Sequence, residues 1–260
     1  MPLIRPRLNN YYKLPFTQAK VDFAIPFLDE DLPLCVDPFL LWKSPSMQDN
    51  SLHTTVTNAF NNLGYIFTKG QEREALKTLV EASECYEVGL GDSATRIGKK
   101  FGIKTATQIL SLYRDIPKVT KSGFTHFEEI QLFADNISKD RISDIACNFL
   151  KSFLIDYTID QCRKHNIPTE KVSDIPVYIC KSNRFENENV ELPCDPVNKS
   201  PILFVPKRWL RYIPWINYDD YFKNCYPSSE AVPQRVEILN YNRQNYDVVK
   251  EYIKVKEKTR

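Results

Sequence analysis

Residues 138–165 read Ser-Lys-Asp-Arg-Ile-Ser-Asp-Ile-Ala-Cys-Asn-Phe-Leu-Lys-Ser-Phe-Leu-Ile-Asp-Tyr-Thr-Ile-Asp-Gln-Cys-Arg-Lys-His. Ile142, Ile145, Ala146, Phe149 and Phe153 recur at helical spacing, and Ile155 and Ile159 fall on the opposite side. A helix with two apolar faces is covered from two directions. The stretch therefore predicts one long central helix from about Ser138 to His165. On the same helix Asp140, Asp144 and Asn148 recur every four residues and share a face. Oxygen donors so placed can meet a metal ion or a phosphate, and the same spacing also serves a solvated face.

Working outward, the pattern predicts strands over 21–27 and 34–42, the second interrupted at Asp37-Pro38. Helices are expected over 51–66, 70–84 and 103–114. A short strand over 85–90 leads into a turn with Ser93 as a helix N-cap, and 124–134 has strand character. After the central helix, strands are expected over 176–180 and 201–205, with a polar hairpin or loop over 182–199. Helical pieces follow near 207–212 and 217–224, and a basic helix covers about 243–257. The fold class is α+β: a single mixed domain with a central long helix packed on a sheet, plus a C-terminal helical extension. Its parts are an N-terminal arm over 1–20, a core over 21–225 and the extension over 226–260.

With 260 residues and 29 Phe and Tyr, the chain can build a sizeable core. A net charge of +2 points to no class of partner, so any charged surface must come from local clustering. The seven cysteines form no C-x-x-C pair, which argues against a zinc ribbon or a disulfide framework and for a reducing, cytosolic setting. Met1 to Tyr12 lacks the apolar core of a secretory signal, and no run approaches a membrane span.

Three constellations could carry chemistry. The first is the carboxylate set Asp31, Asp37, Asp140 and Asp144, with Lys181 or Lys207 at strand ends. Several carboxylates can hold Mg²⁺ while a lysine steadies a phosphate or an attacking water. An acid two residues before either lysine, as metal-dependent nucleases arrange it, is absent. The second runs Gly89-x-Gly91-x-Ser93 and on through Arg96, Gly98, Lys99, Lys100 and Gly102. Its backbone and charges suit a phosphate, although the spacing is neither a Walker A loop nor a Rossmann fingerprint, and the likeness to a helix-turn-helix is one residue out of step. The third is an apolar run, Pro201 to Val205, entering Lys207, Arg208, Trp209 and Arg211, where cations and an aromatic could hold a nucleic-acid strand. Each also has a plain structural reading: solvated helix charges, a basic loop, a packed tryptophan. His53, His126 and His165 have no metal-ligand spacing and read as structural.

The segments Asp140 to Asp144 with Asn148, Asp156-Tyr157-Thr158, Gln161-Cys162, Asn166-Ile167-Pro168, Leu192-Pro193 and Pro201 to Lys207 resemble a group of bacterial proteins associated with mobile elements and anti-phage defence. The resemblance covers roughly residues 20–250, and the group's counterpart of 89–102 is expected to be richer in glycine. It implies a bacterial, cytosolic, defence-linked protein and leaves the chemistry open; taken with the residues, the expectation is a metal-dependent nuclease acting on nucleic acid. The residues then assign metal binding to Asp31, Asp37, Asp140 and Asp144, phosphate contact to Lys181 or Lys207, and backbone tracking to Arg96, Lys99, Lys100 and Arg208 with Trp209 stacking. The alternative is a non-catalytic subunit that binds nucleic acid or a partner ATPase or other defence subunit.

Overall fold

A computed structural model describes residues 7–94, 96, 98–226 and 233–259. Its elements run α1 (Leu8–Tyr11), β1 (Cys35–Val36), α2 (Pro38–Lys43), α3 (Met47–Thr68), α4 (Glu72–Ala82), α5 (Ile103–Asp115) and α6 (Pro117–Ser122). A buried 3-10 turn follows over Phe127–Leu132. Then come α7 (Lys139–Phe149), α8 (Lys151–His165), β2 (Glu170–Ile179), β3 (Arg184–Leu192), β4 (Leu210–Arg211), α9 (Tyr218–Cys225), α10 (Arg235–Gln244) and α11 (Tyr246–Lys258). The class is α+β. Helices dominate, and the sheets are two small antiparallel pairs, β1 with β4 and β2 with β3.

The central helix comes in two pieces. Leu150 closes α7 and opens α8, and Lys151, just past the break, turns inward to place Nζ 2.8 Å from Glu87 Oε1. From Ile142 to Phe149 every residue of α7 is buried. The helix packs against β1, α3, α4 and β2, which accounts for its two apolar faces. Ser138 caps it, its hydroxyl accepting from the Arg141 amide at 3.4 Å.

Several local expectations are corrected. Strand 34–42 survives only as Cys35–Val36, because Asp37 accepts from the Phe39 amide as an N-cap and Pro38 starts α2. A proline at the first helical position is pre-set for helix rather than disruptive of strand. Residues 127–132 form a 3-10 turn instead of a strand. Among the described residues no helix begins after Ser93 until α5, which starts at Ile103 after Gly102. Residues 21–27 and 201–205 meet through an isolated bridge, Phe23 to Pro206, and the Ala24 amide donating to Val205 O, rather than as paired strands. The polar stretch expected as a hairpin or loop over 182–199 contains strand β3, one side of a two-stranded ribbon with β2, where most side chains stay in water.

One large apolar cluster runs from Ala24 to Ile253, so α10 and α11 complete the main core rather than hang from it. A smaller cluster packs Leu8 and Phe16 of the N-terminal arm, with Val21 and Phe23 just after it, on Cys162, Ile167 and Phe204; the Phe23 and Phe204 rings stack 4.1 Å apart. Residues 1–6 of the arm, and 227–232 and 260 of the extension, lie outside the described residues.

Candidate functional site: an acidic cleft beneath the glycine loop

The half-buried N-terminal turn of α7 faces the segment after α4 and the glycine-bearing loop 89–99. Together they enclose a cleft of about 180 Å³, lined by Asp31, Glu84, Asp92, Lys99, Asp140, Arg141 and Asp144 among others. Three of the four carboxylates named from the sequence thus meet in one place, joined by two that the sequence did not single out.

The face of α7 that carries these acids also clamps the loop opposite. Asn148 Nδ2 donates to the carbonyls of Ala82 and Glu84, each at 2.9 Å. Arg141 Nη1 donates to Ser83 O at 2.9 Å and reaches Glu84 Oε2 at 3.3 Å. The Cys85 amide donates to Asp144 Oδ1 at 3.3 Å. These contacts satisfy carbonyls at the end of α4 and fix Glu84 against the cleft. Asp31 arrives by a different route. Its amide donates to Ser93 O, while the Leu32 amide donates to Gly89 O and Leu32 O accepts from the Gly91 amide, which ties 31–32 to the loop.

Gly91 explains how close the walls come. A Cβ there would lie 3.4 Å from Asp31 Oδ2 and 3.8 Å from Asp140 Oδ1, and its φ of +139° is strained for other residues. At Gly89 the Cβ position falls 2.5 Å from the Arg96 guanidinium. The loop's glycines therefore accommodate the protein's own side chains.

The electrostatics follow from crowding and cover. Burial, with Glu84 and Asp140 nearby, raises the Asp31 carboxyl to about 6 despite Arg96. Burial and Glu84 raise Asp144 well above the usual carboxylate range. Burial raises Glu84, and burial with Asp92 raises Asp140. Asp140 Oδ1 is buried without a hydrogen-bond partner. A site with too many negative charges and an orphaned acceptor suits a cation. The carboxylates do not form a tight three-ligand cage; among the described residues that arrangement occurs only at His53, His126 and Glu128. Mg²⁺ needs no such cage, since it keeps several waters and takes one or two protein carboxylates.

The remaining sequence candidates lie elsewhere. Asp37 is buried as the cap of α2, where it also accepts from the Trp215 amide at 2.8 Å, and it does not line the cleft. Lys181 is exposed at the β2–β3 turn, and Lys207 donates to Gln18 O at 2.9 Å. Neither lysine lines the cleft. Arg96 is buried and donates to Phe27 O and Glu87 O, an internal strut instead of a phosphate contact. Arg208 makes two hydrogen bonds to Asp49, and Trp209 is fully buried with Nε1 on the same carboxylate. Trp209 offers no stacking face to solvent. Lys99 stands at the cleft rim and Lys100 is exposed beside it. Glu84 and Asp92 were missed because neither shares a periodicity with Asp140; only the fold brings them together.

A family model described as Domain of unknown function (DUF8370) matches residues 13–217. No curated protein and no solved structure matches the chain.

Proposed function

Because the chain belongs to the DUF8370 family, whose description names no activity, we propose a function from the cleft: a Mg²⁺-dependent phosphodiesterase acting on nucleic acid. The observation that carries this reading is the convergence of Asp31, Glu84, Asp140 and Asp144 on one cleft with Lys99 and Arg141 at its edge. Asp140 and Asp144 would hold the ion, with Asp31 or Glu84 reaching it through water. A bound Mg²⁺ supplies charge neutralisation at the phosphoryl group and a more acidic water. Arg141 keeps Glu84 in place, and Lys99 offers a positive charge to a non-bridging phosphate oxygen. The resemblance of residues 140–207 to bacterial defence proteins supports placing this activity in a defence module.

The test uses single- and double-stranded DNA and RNA with Mg²⁺ or Mn²⁺, comparing wild type with Asp144→Asn and Asp140→Asn. Metal-dependent cleavage that falls at least roughly 100-fold in either variant is expected, the size of effect seen when groups stabilising transition-state charge are removed. Absence of cleavage on every substrate, together with a melting temperature indifferent to either metal, rejects the proposal.

One observation favours a second reading. Tyr212 and Ile213 are each 66% exposed beside the cleft, where Lys139 donates to Tyr212 O. Exposed aromatic and aliphatic side chains at that position suit contact with a protein partner.

A further inference from the structure

Among the described residues, a buried and uncompensated polar cluster lies away from the cleft. His53 projects from α3, His126 stands just before the 3-10 turn, and Glu128 lies within it. All three are buried, with His126 and Glu128 completely so. His53 Nε2, His126 Nδ1 and both oxygens of Glu128 have no hydrogen-bond partner. One ligand atom from each lies within 4.8 Å of the others, and His126 Nδ1 is 3.7 Å from Glu128 Oε1. An isolated buried carboxylate is costly, and so are two buried imidazole nitrogens without partners.

The orientation of His126 is already set from behind. Its Nε2 is 3.1 Å from Glu257 Oε1 on α11. With that carboxylate as acceptor, the proton would sit on Nε2, leaving Nδ1 as the atom 3.7 Å from Glu128 Oε1. A carboxylate behind a histidine whose other nitrogen faces a ligand set is the usual support of a metal-bound imidazole. The rings of Phe39 and Trp42, each 5.2 Å from that of His126, exclude water from the cluster.

We infer that His53, His126 and Glu128 form a buried site for one divalent transition-metal ion of the zinc class. Two imidazoles and a carboxylate match its preference for nitrogen and oxygen donors. Zinc ligands at about 2.0–2.1 Å from the ion stand no more than about 4.2 Å apart, so the set closes slightly on binding. Enclosure on all sides makes the ion a structural link joining α3, the 3-10 turn and, through Glu257, α11. The site is separate from the cleft and its ion chemistry differs: Mg²⁺ prefers oxygen donors and water, whereas imidazole favours zinc or cobalt.

The full-length protein is produced in medium supplemented with zinc or, separately, cobalt, and its metal content is measured by mass spectrometry. One ion per chain is expected in wild type and in Asp144→Asn, and almost none in Glu128→Gln. The cobalt protein is expected to show the visible absorption of a four- or five-coordinate imidazole-ligated ion. Glu257→Gln, altered at the partly exposed supporting carboxylate, is expected to fold and to bind the ion roughly 10- to 100-fold more weakly. Wild type without bound metal from either medium overturns the inference, as does full retention of the ion by Glu128→Gln. Should Glu128→Gln fail to fold, the wild-type stoichiometry and the Glu257→Gln affinity decide. Loss of the ion from Asp144→Asn with retention in Glu128→Gln would assign it to the cleft instead.

Discussion

Asp49 shows how one carboxylate can organise distant parts of the chain. It is buried at the start of α3 and accepts from Arg208 Nε at 2.8 Å, Arg208 Nη2 at 2.7 Å, Trp209 Nε1 at 3.0 Å and Ser44 Oγ at 2.7 Å. Burial alone would raise its carboxyl, but the hydrogen bonds from Arg208, Ser44 and Trp209 prevail and hold it below its ordinary value. Asp49→Asn is expected to cost about 3 kcal/mol at neutral pH, because a buried indole N–H and a guanidinium lose an ionised partner. The depressed folded value sets the sign of the pH dependence. The contribution is present above the unfolded carboxyl value of about 3.9 and disappears as pH falls through the folded one. Denaturant unfolding should therefore show the gap between wild type and variant narrowing in acid; a gap unchanged from pH 7 to pH 3 would contradict the account. In the sequence, Arg208 and Trp209 read as a basic-aromatic nucleic-acid motif, since nothing marks a partner 159 residues away. Asp140 and Asp144 were legible because helical spacing alone puts them on one face. Asp31 was named for its charge, and Glu84 needed the fold.

At the scale of elements, α3 and α5 pack with a glycine against a buried ring. A Cβ on Gly64 would sit 2.4 Å from the Tyr113 ring, which is itself fully buried and donates to Asn61 Oδ1 at 2.6 Å. Gly64→Ala gains up to about 1 kcal/mol of helix propensity, yet forcing apart a packed ring costs about 1–3 kcal/mol. A net loss near 2 kcal/mol is expected, read as a lower urea midpoint at unchanged slope; a raised midpoint would show that the ring can move aside. Helices α3, α4 and α5 were legible because each carries a long apolar stripe. The errors cluster where short apolar runs lack a deciding period. Asp37-Pro38 reads equally as a strand interruption and a capped helix start. Phe127–Leu132 is apolar or buried throughout, so alternation could not separate a strand from a 3-10 turn. The break at Leu150 left no mark, since Leu is a good helix former and the turn serves Lys151 and Glu87.

Across the whole molecule, α11 enters the main core, whereas the described part of the N-terminal arm packs in the smaller cluster. Tyr246, Val249, Tyr252 and Ile253 of α11 are buried in the same cluster as Val36, Phe60 and Ile145. Each contributes about 1.5–3 kcal/mol, a sum comparable with the total stability of about 5–15 kcal/mol of an ordinary domain. A chain ending at Asn245 is therefore expected to lose its cooperative thermal transition, followed by circular dichroism; a transition within a few degrees of the full-length protein would show α11 to be dispensable. The extension was legible as a helix, but its share in the core was not, because periodicity locates an apolar face without naming what covers it. The same topology governs the cleft, whose carboxylates come from residue 31, residues 84 and 92, and the start of α7. A ribosome must deliver just over half of the 260 residues before the last two acids appear. During synthesis the early segments carry Asp31 and Glu84 as ordinary dispersed charges. Whatever chemistry the cleft performs is thus silent in the nascent protein and starts only when α7 docks, so the order of translation acts as a built-in delay.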